Sequence, residues 1–166
     1  MINRINNLSQ SEFIENFANI FEKTKWIADR LYDQKPFNSF EELCSKMLEI
    51  FKTAGKENQL KILRAHPDLA NKINIGLLTI DSRAEQKEAG LNRCSEKEFS
   101  EFKNLNNEYK KKFGFPFILA VGGKNKVDIL NEFKKRILNN TEKEFNEAVV
   151  QVCKIADLRL KELNIK

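Results

Sequence analysis

Turn-forming residues are scarce in this chain, with 3 prolines and 6 glycines in 166 residues. Few sharp reversals can be built from that stock, so long helices are the default expectation. Cysteine is equally thin. Cys44, Cys94 and Cys153 show no metal-ligand spacing and cannot all pair. Cys44 and Cys153 fall on helical apolar stripes, which reads as core thiols in a reducing compartment. The first residues, Met1 to Asn7, lack the apolar stretch of a signal peptide, and no run approaches the length of a membrane span. Asn164-Ile165-Lys166 is not a peroxisomal address. A cytoplasmic protein that does not enter a membrane is expected. Also missing are a Gly-rich phosphate loop, a nucleophile elbow and any Cys/His metal pattern, so no metal site is expected.

What is present is a soluble, globular composition: 41% hydrophobic and 32% charged. The length fits a single domain over residues 1–166 with a real core. Net charge is +5, but lysines alternate with acids and the largest basic cluster is only Lys110-Lys111-Lys112. A nucleic-acid binder concentrates its charge on one face or arm, so no nucleic-acid partner is expected. A mild positive excess favours a small anionic ligand, weakly.

The helix-starting pattern S/T-x-x-E occurs at Ser9/Glu12, Ser39/Glu42, Ser82/Glu85, Ser95/Glu98 and Thr141/Glu144. In a capping box the hydroxyl and the carboxylate each satisfy an orphan backbone N–H. Apolar residues then recur at helical spacing. Phe13, Ile14, Phe17, Ile20 and Phe21 follow the first box, and Leu43, Met47, Leu48 and Phe51 follow the second. Phe99, Phe102, Leu105 and Tyr109 follow the fourth, and Phe145, Val149, Val152 and Ala156 the last. Further helices are expected over Trp26–Tyr32, Lys56–Ala65 and Lys126–Leu138. The architecture predicted is all-α, a compact helical domain of roughly eight helices.

The exception runs from Gly114 to Gly123. It is apolar, aperiodic and bracketed by glycines. No convincing second strand exists to pair with it, so a buried loop or extended segment is predicted. Its backbone polar groups then need partners: water, neighbouring side chains or a ligand.

Few residues can carry chemistry. His66 is the only histidine, and the only side chain whose ordinary pKa lies near neutrality. It ends a helical stretch before Pro67, where a structural histidine is equally at home beside the negative end of the helix dipole. Ser82 and Glu85 read first as a capping box, with Gln86 beside them, although that helix N-terminus also suits an anion. Arg159 is the anomaly: at about 100° per residue it falls inside the apolar stripe of Val152, Ala156 and Leu163. A guanidinium there needs a partner, either a buried Asp or Glu or a ligand carboxylate or ureido oxygen. Trp26, Phe113 and Phe115 read as core aromatics in preference to a stacking platform.

Taken in order, these segments resemble the 2-oxo-4-hydroxy-4-carboxy-5-ureidoimidazoline decarboxylases of urate breakdown. The likeness starts at Leu8-Ser9 with Glu12-Phe13, then Ile20-Phe21-Glu22, Trp26-Ile27-Ala28 and Pro36-Phe37. Gln59-Leu60 leads into Ala65-His66-Pro67-Asp68-Leu69-Ala70. Leu78-Thr79 precedes Ser82-x-x-Glu85-Gln86-x-x-Ala89-Gly90-Leu91. Leu105-Asn106-x-x-Tyr109 leads into Phe113-Gly114-Phe115-Pro116-Phe117-Ile118, and Glu144-Phe145, Ala148 and Arg159-Leu160 complete the set. Each piece is weak alone; the ordered set is specific.

The resemblance implies an all-helical homodimeric enzyme without cofactor, converting the carboxylated ureidoimidazoline to (S)-allantoin and carbon dioxide. By the same resemblance His66 is the catalytic histidine and Glu85 its acidic partner. Ser82, Gln86 and Arg159 hold substrate, while Pro67 and the backbone of Phe117, Ile118, Leu119, Ala120 and Val121 line the pocket. Lys25 stands where the family often has proline, and the hydroxyisourate-hydrolase domain fused to some relatives is not in this sequence. Two alternatives stay open: the same scaffold acting on another ureido acid, and a non-enzymatic helical module binding an anionic partner.

Overall fold

The capping signals start helices much as their chemistry demands. A computed structural model describes residues 1–69 and 96–163, without the side chains of Glu96 and Phe99. Among the described residues there are eight helices and no strand: α1 (Ile2–Asn7), α2 (Gln10–Phe17), α3 (Lys25–Tyr32), α4 (Phe40–Lys52), α5 (Lys56–Ala65), α6 (Glu96–Phe113), α7 (Lys126–Arg136) and α8 (Thr141–Glu162). The all-α expectation holds. Only α1 had no signal in the apolar periodicity.

The boxes differ in how fully they form. Ser9 and Glu12 make the reciprocal pair at the start of α2. Ser39 accepts from the Glu42 N–H, but the Glu42 carboxylate turns to the Asn38 backbone and side-chain N–H groups and to Lys46. Those contacts pull its pKa down to about 2. The Thr141/Glu144 box does not form. Asn140 caps α8 instead, accepting from the Lys143 N–H at 2.8 Å, and Glu144 is buried in another role. An unread box, Asn125 with Asp128, starts α7. Ser82 and Ser95 lie outside the described residues, as do Glu85, Gln86 and Cys94.

The chain divides into two compact units, Met1–Ile62 with Cys153–Lys166, and Leu63–Val152. In the first, Phe13, Phe17, Ile27, Leu31, Leu43, Met47 and Phe51 are buried. Phe13 packs on Phe17 and Tyr32, and Phe21 on Phe51, with ring centroids 4.5, 5.5 and 5.0 Å apart. Ile20 and Phe21 are buried although α2 has already ended at Phe17. The turn after it contains Lys23 at φ 51°, a left-handed conformation that costs a non-glycine residue about 1–2 kcal/mol. Cys153 is a buried free thiol and Cys44 a half-buried one; burial pushes Cys44 up to about 11 and Cys153 upward.

The second unit is organised by Tyr109. Its ring meets Phe115, Phe117 and Phe133 edge-on at 5.9, 5.4 and 5.7 Å, a geometry favoured by the aromatic quadrupole. Phe117 stacks on Phe133 at 3.8 Å. Phe113 and Phe115 are core residues, as read. On α6 the buried stripe is Phe102, Asn106, Tyr109 and Phe113, while Leu105 is only half-buried. The apolar period had selected Leu105, and the structure buries its polar neighbour instead.

Candidate functional site

The histidine and the aperiodic segment are tied to one another by local chemistry within the second unit. Helix α5 ends at Ala65, and the His66 N–H makes a tight final turn to the Leu63 carbonyl at 3.3 Å. Pro67 forbids its continuation. Arg64, two residues before His66, donates from Nε to the Gly114 carbonyl at 3.1 Å. Gly114 closes α6 at φ 79°, its N–H reaching the Lys110 carbonyl at 2.8 Å, a left-handed turn that suits glycine. Beyond Pro67, Asp68 is buried and pairs with Lys110 at 3.3 Å. His66 and Pro67 are half-buried. The C-terminal half of α6 therefore anchors both the His66-Pro67-Asp68 turn and the head of the 115–121 segment.

That segment is non-helical and pairs with no strand among the described residues. Phe117, Ile118, Leu119 and Val121 are buried and Ala120 half-buried, as a buried extended segment requires. Neighbouring side chains supply partners. Ile118 offers its carbonyl to Arg136 Nη1 at 2.6 Å, and the Ala120 N–H donates to Gln151 Oε1 at 3.0 Å. Gln151 is itself oriented by donating to Glu147 at 2.7 Å.

Arg136 was not singled out by sequence. Its guanidinium donates to Glu144 Oε1 from Nε at 2.9 Å and Nη2 at 2.5 Å, and lies over the Phe117 ring at 4.5 Å. Tyr109 donates its hydroxyl to the same oxygen, and Asn139 Nδ2 donates to Oε2 at 2.8 Å. The carboxylate is thus satisfied on both oxygens although Glu144 is fully buried, the condition under which a buried charge is tolerable. Burial, then the bond to Glu144, push the Tyr109 hydroxyl well above the ordinary tyrosine range. A signal for Arg136 existed: Ile129, Phe133 and Arg136 are the buried residues of α7 at helical spacing. The run Lys134-Lys135-Arg136 looks instead like a solvated last turn favoured by the dipole.

In the first unit Arg159 is buried, as its stripe position demands. Nη2 donates to Glu22 at 2.9 Å and Nη1 to the Ile20 carbonyl at 3.1 Å. Thr24 donates to the Glu22 carbonyl at 2.7 Å. The buried acid demanded by the salt-bridge alternative is therefore Glu22. Among the described residues, no group of three or more His, Cys, Asp or Glu side chains is placed to hold a metal ion, and no helix is long and apolar enough to cross a membrane.

Comparison with known proteins adds to this geometry. The chain is 41% identical over 162 residues to the uric acid degradation bifunctional protein of Bacillus sp. (strain TB-90), covering 98% of this chain and 32% of that one. It spans about a third of that relative. It is 37% identical over 161 residues to the 2-oxo-4-hydroxy-4-carboxy-5-ureidoimidazoline decarboxylase of Haloferax volcanii, covering 97% of this chain and 94% of that one. Its structure is similar to a crystal structure of (S)-allantoin synthase, with a TM-score of 0.78 at 26% identity, covering 98% of this chain and 53% of the other. With residues 6–161 also matching the OHCU decarboxylase family model, this chain belongs to the OHCU decarboxylase family.

Proposed function

We propose that the protein, acting as one domain over residues 1–166, decarboxylates 2-oxo-4-hydroxy-4-carboxy-5-ureidoimidazoline to (S)-allantoin and carbon dioxide in urate breakdown. The observation that carries this reading is the placement of the lone histidine. His66 stands in a His-Pro-Asp turn whose preceding Arg64 bonds Gly114, at the head of the apolar 115–121 segment, within a span that matches the family from residue 6 to 161. A cytoplasmic location and a homodimer belong to the same proposal.

The chemistry suits a site built from side chains alone. The bond to the carboxyl carbon breaks, and its electron pair passes into the adjoining ring C=N, so the substrate supplies its own electron sink. One proton then returns to carbon on one face, which sets the (S) centre. The protein supplies orientation, partial desolvation of the carboxylate and a positioned proton. In this reading His66 exchanges a proton with the substrate, with Glu85 holding it in its working state. Ser82, Gln86 and Arg159 orient the ureido and ring polar groups. Pro67 and the Phe117–Val121 backbone form the wall.

The test generates the labile intermediate from urate with uricase and hydroxyisourate hydrolase. Added protein is expected to accelerate its loss and give optically active allantoin by circular dichroism. Racemic product at the spontaneous rate would refute the assignment. His66→Ala is expected to lower turnover by about 10² or more with an unchanged helical signal.

A further inference from the structure

Gln151 commits a buried carboxamide to a single backbone N–H. It lies on α8, 6% exposed. Its Oε1 accepts from the Ala120 N–H at 3.0 Å, while its Nε2 donates to Glu147 Oε1 at 2.7 Å. Glu147 stands one turn earlier on the same face of the helix. A backbone N–H can only donate, so Oε1 must face Ala120 and Nε2 is left for the carboxylate. The two bonds hold the amide in one orientation. Ala120 is the one residue of the 117–121 stretch that is not fully buried, and so the position in it nearest to solvent. A side chain in place of water adds direction to that bond, because Gln151 is itself held by its helix and by Glu147.

That direction reaches beyond one bond. The Leu119–Ala120 peptide is trans, and a trans peptide is planar with its N–H and C=O on opposite sides. Holding the Ala120 N–H on Gln151 therefore turns the Leu119 carbonyl away from Gln151. Arg136 bonds the Ile118 carbonyl at 2.6 Å and by the same geometry turns the Leu119 N–H away from its guanidinium. Two consecutive peptide planes are thus locked, one on each side of Leu119, by side chains from α7 and α8. We infer that Gln151, oriented by Glu147, is a positioning residue for the reaction: it sets the direction of the Leu119 carbonyl in the backbone that forms the pocket wall. This rests on the reading above, which makes 117–121 that wall. Gln151 needs no contact with substrate, since it acts through the peptide it holds.

Gln151→Leu keeps the bulk and removes the acceptor. Gln151→Glu combined with Glu147→Gln exchanges the two groups, so that a carboxylate accepts from Ala120 and a carboxamide orients it. The coupled urate assay is run on both variants well below the lower thermal midpoint, so that unfolding does not enter the rates. Gln151→Leu is expected to lower kcat about tenfold with KM within about threefold, because bound substrate is then held out of the reactive geometry. The exchanged pair is expected to return kcat to within about threefold of wild type. Near-native kcat in Gln151→Leu would overturn the inference and leave the decarboxylase reading standing. An exchanged pair as slow as Gln151→Leu would also overturn it, since the rate would then not depend on an acceptor at position 151. Wild-type protein without effect on the intermediate would remove the decarboxylase reading, and this inference with it.

Discussion

Two buried arginine–glutamate pairs, one in each unit, use the same chemistry for different ends. Arg136 and Glu144 lie eight residues apart in sequence and are enclosed by Tyr109, Asn139 and the Ile118 carbonyl. Arg159 and Glu22 lie 137 residues apart and join the last helix to the turn after α2 through Glu22 and the Ile20 carbonyl. The first is a local clamp that fixes a strandless apolar segment by its backbone. The second is a long-range tie on a residue that the family resemblance also assigns to substrate. A buried guanidinium therefore does not announce its role; what the fork holds at its other nitrogens decides it.

The largest effect is expected at the clamp. Arg136→Met leaves Glu144 charged and buried without its main partner, and urea unfolding is expected to show a loss of about 3–5 kcal/mol. Activity should fall with it, because the Ile118 carbonyl loses its anchor. A variant of near-native stability would show that the pair does not hold the segment. Arg159→Met alone is expected to cost about 3 kcal/mol for the same reason. Combining it with Glu22→Leu replaces both charges by apolar groups and should restore stability to within about 1 kcal/mol. Turnover that returns along with stability would make Arg159 purely structural, whereas a stable but inactive double variant would put its guanidinium on the substrate.

Tyr109→Phe sharpens the contrast from the other side, because the pair in the first unit has no tyrosine bond of this kind in its described contacts. It is expected to cost about 1–3 kcal/mol. The pH response has a defined sign. The folded state holds Tyr109 above its ordinary value of 10.0, so the unfolded chain ionises first. Stability is full below about pH 10 and falls as pH rises beyond it. Urea midpoints across that range should fall less steeply in the Phe variant. The smallest effect lies beside Glu22: Lys23→Gly relieves the left-handed residue, with a gain of about 1 kcal/mol expected. No gain would mean that the Lys23 side chain contributes as much as its backbone costs.

The two regions also differ in how legible they were. Arg159 stood out because the residues of its stripe are apolar, so a charge among them is visible by period alone. Arg136 obeys the same period with Ile129 and Phe133, but two exposed lysines before it disguise it as a solvated helix end. Glu144 was misread for a related reason: three residues after Thr141 it fits a capping box, yet Asn140 takes the cap and frees the carboxylate for the core. Asn106 was passed over for Leu105, because periodicity ranks residues by hydropathy and has no means of expecting a buried amide.

Helix starts, the all-α class, the aperiodic 115–121 segment and the singularity of His66 were settled by local rules, since capping, period and breaker chemistry act over a few residues and are written in residue order. Which charge meets which was not. The partners of Arg136 and Arg159 lie eight and 137 residues away. Only the packed chain brings them within 3 Å and removes the water that would otherwise have satisfied each one alone.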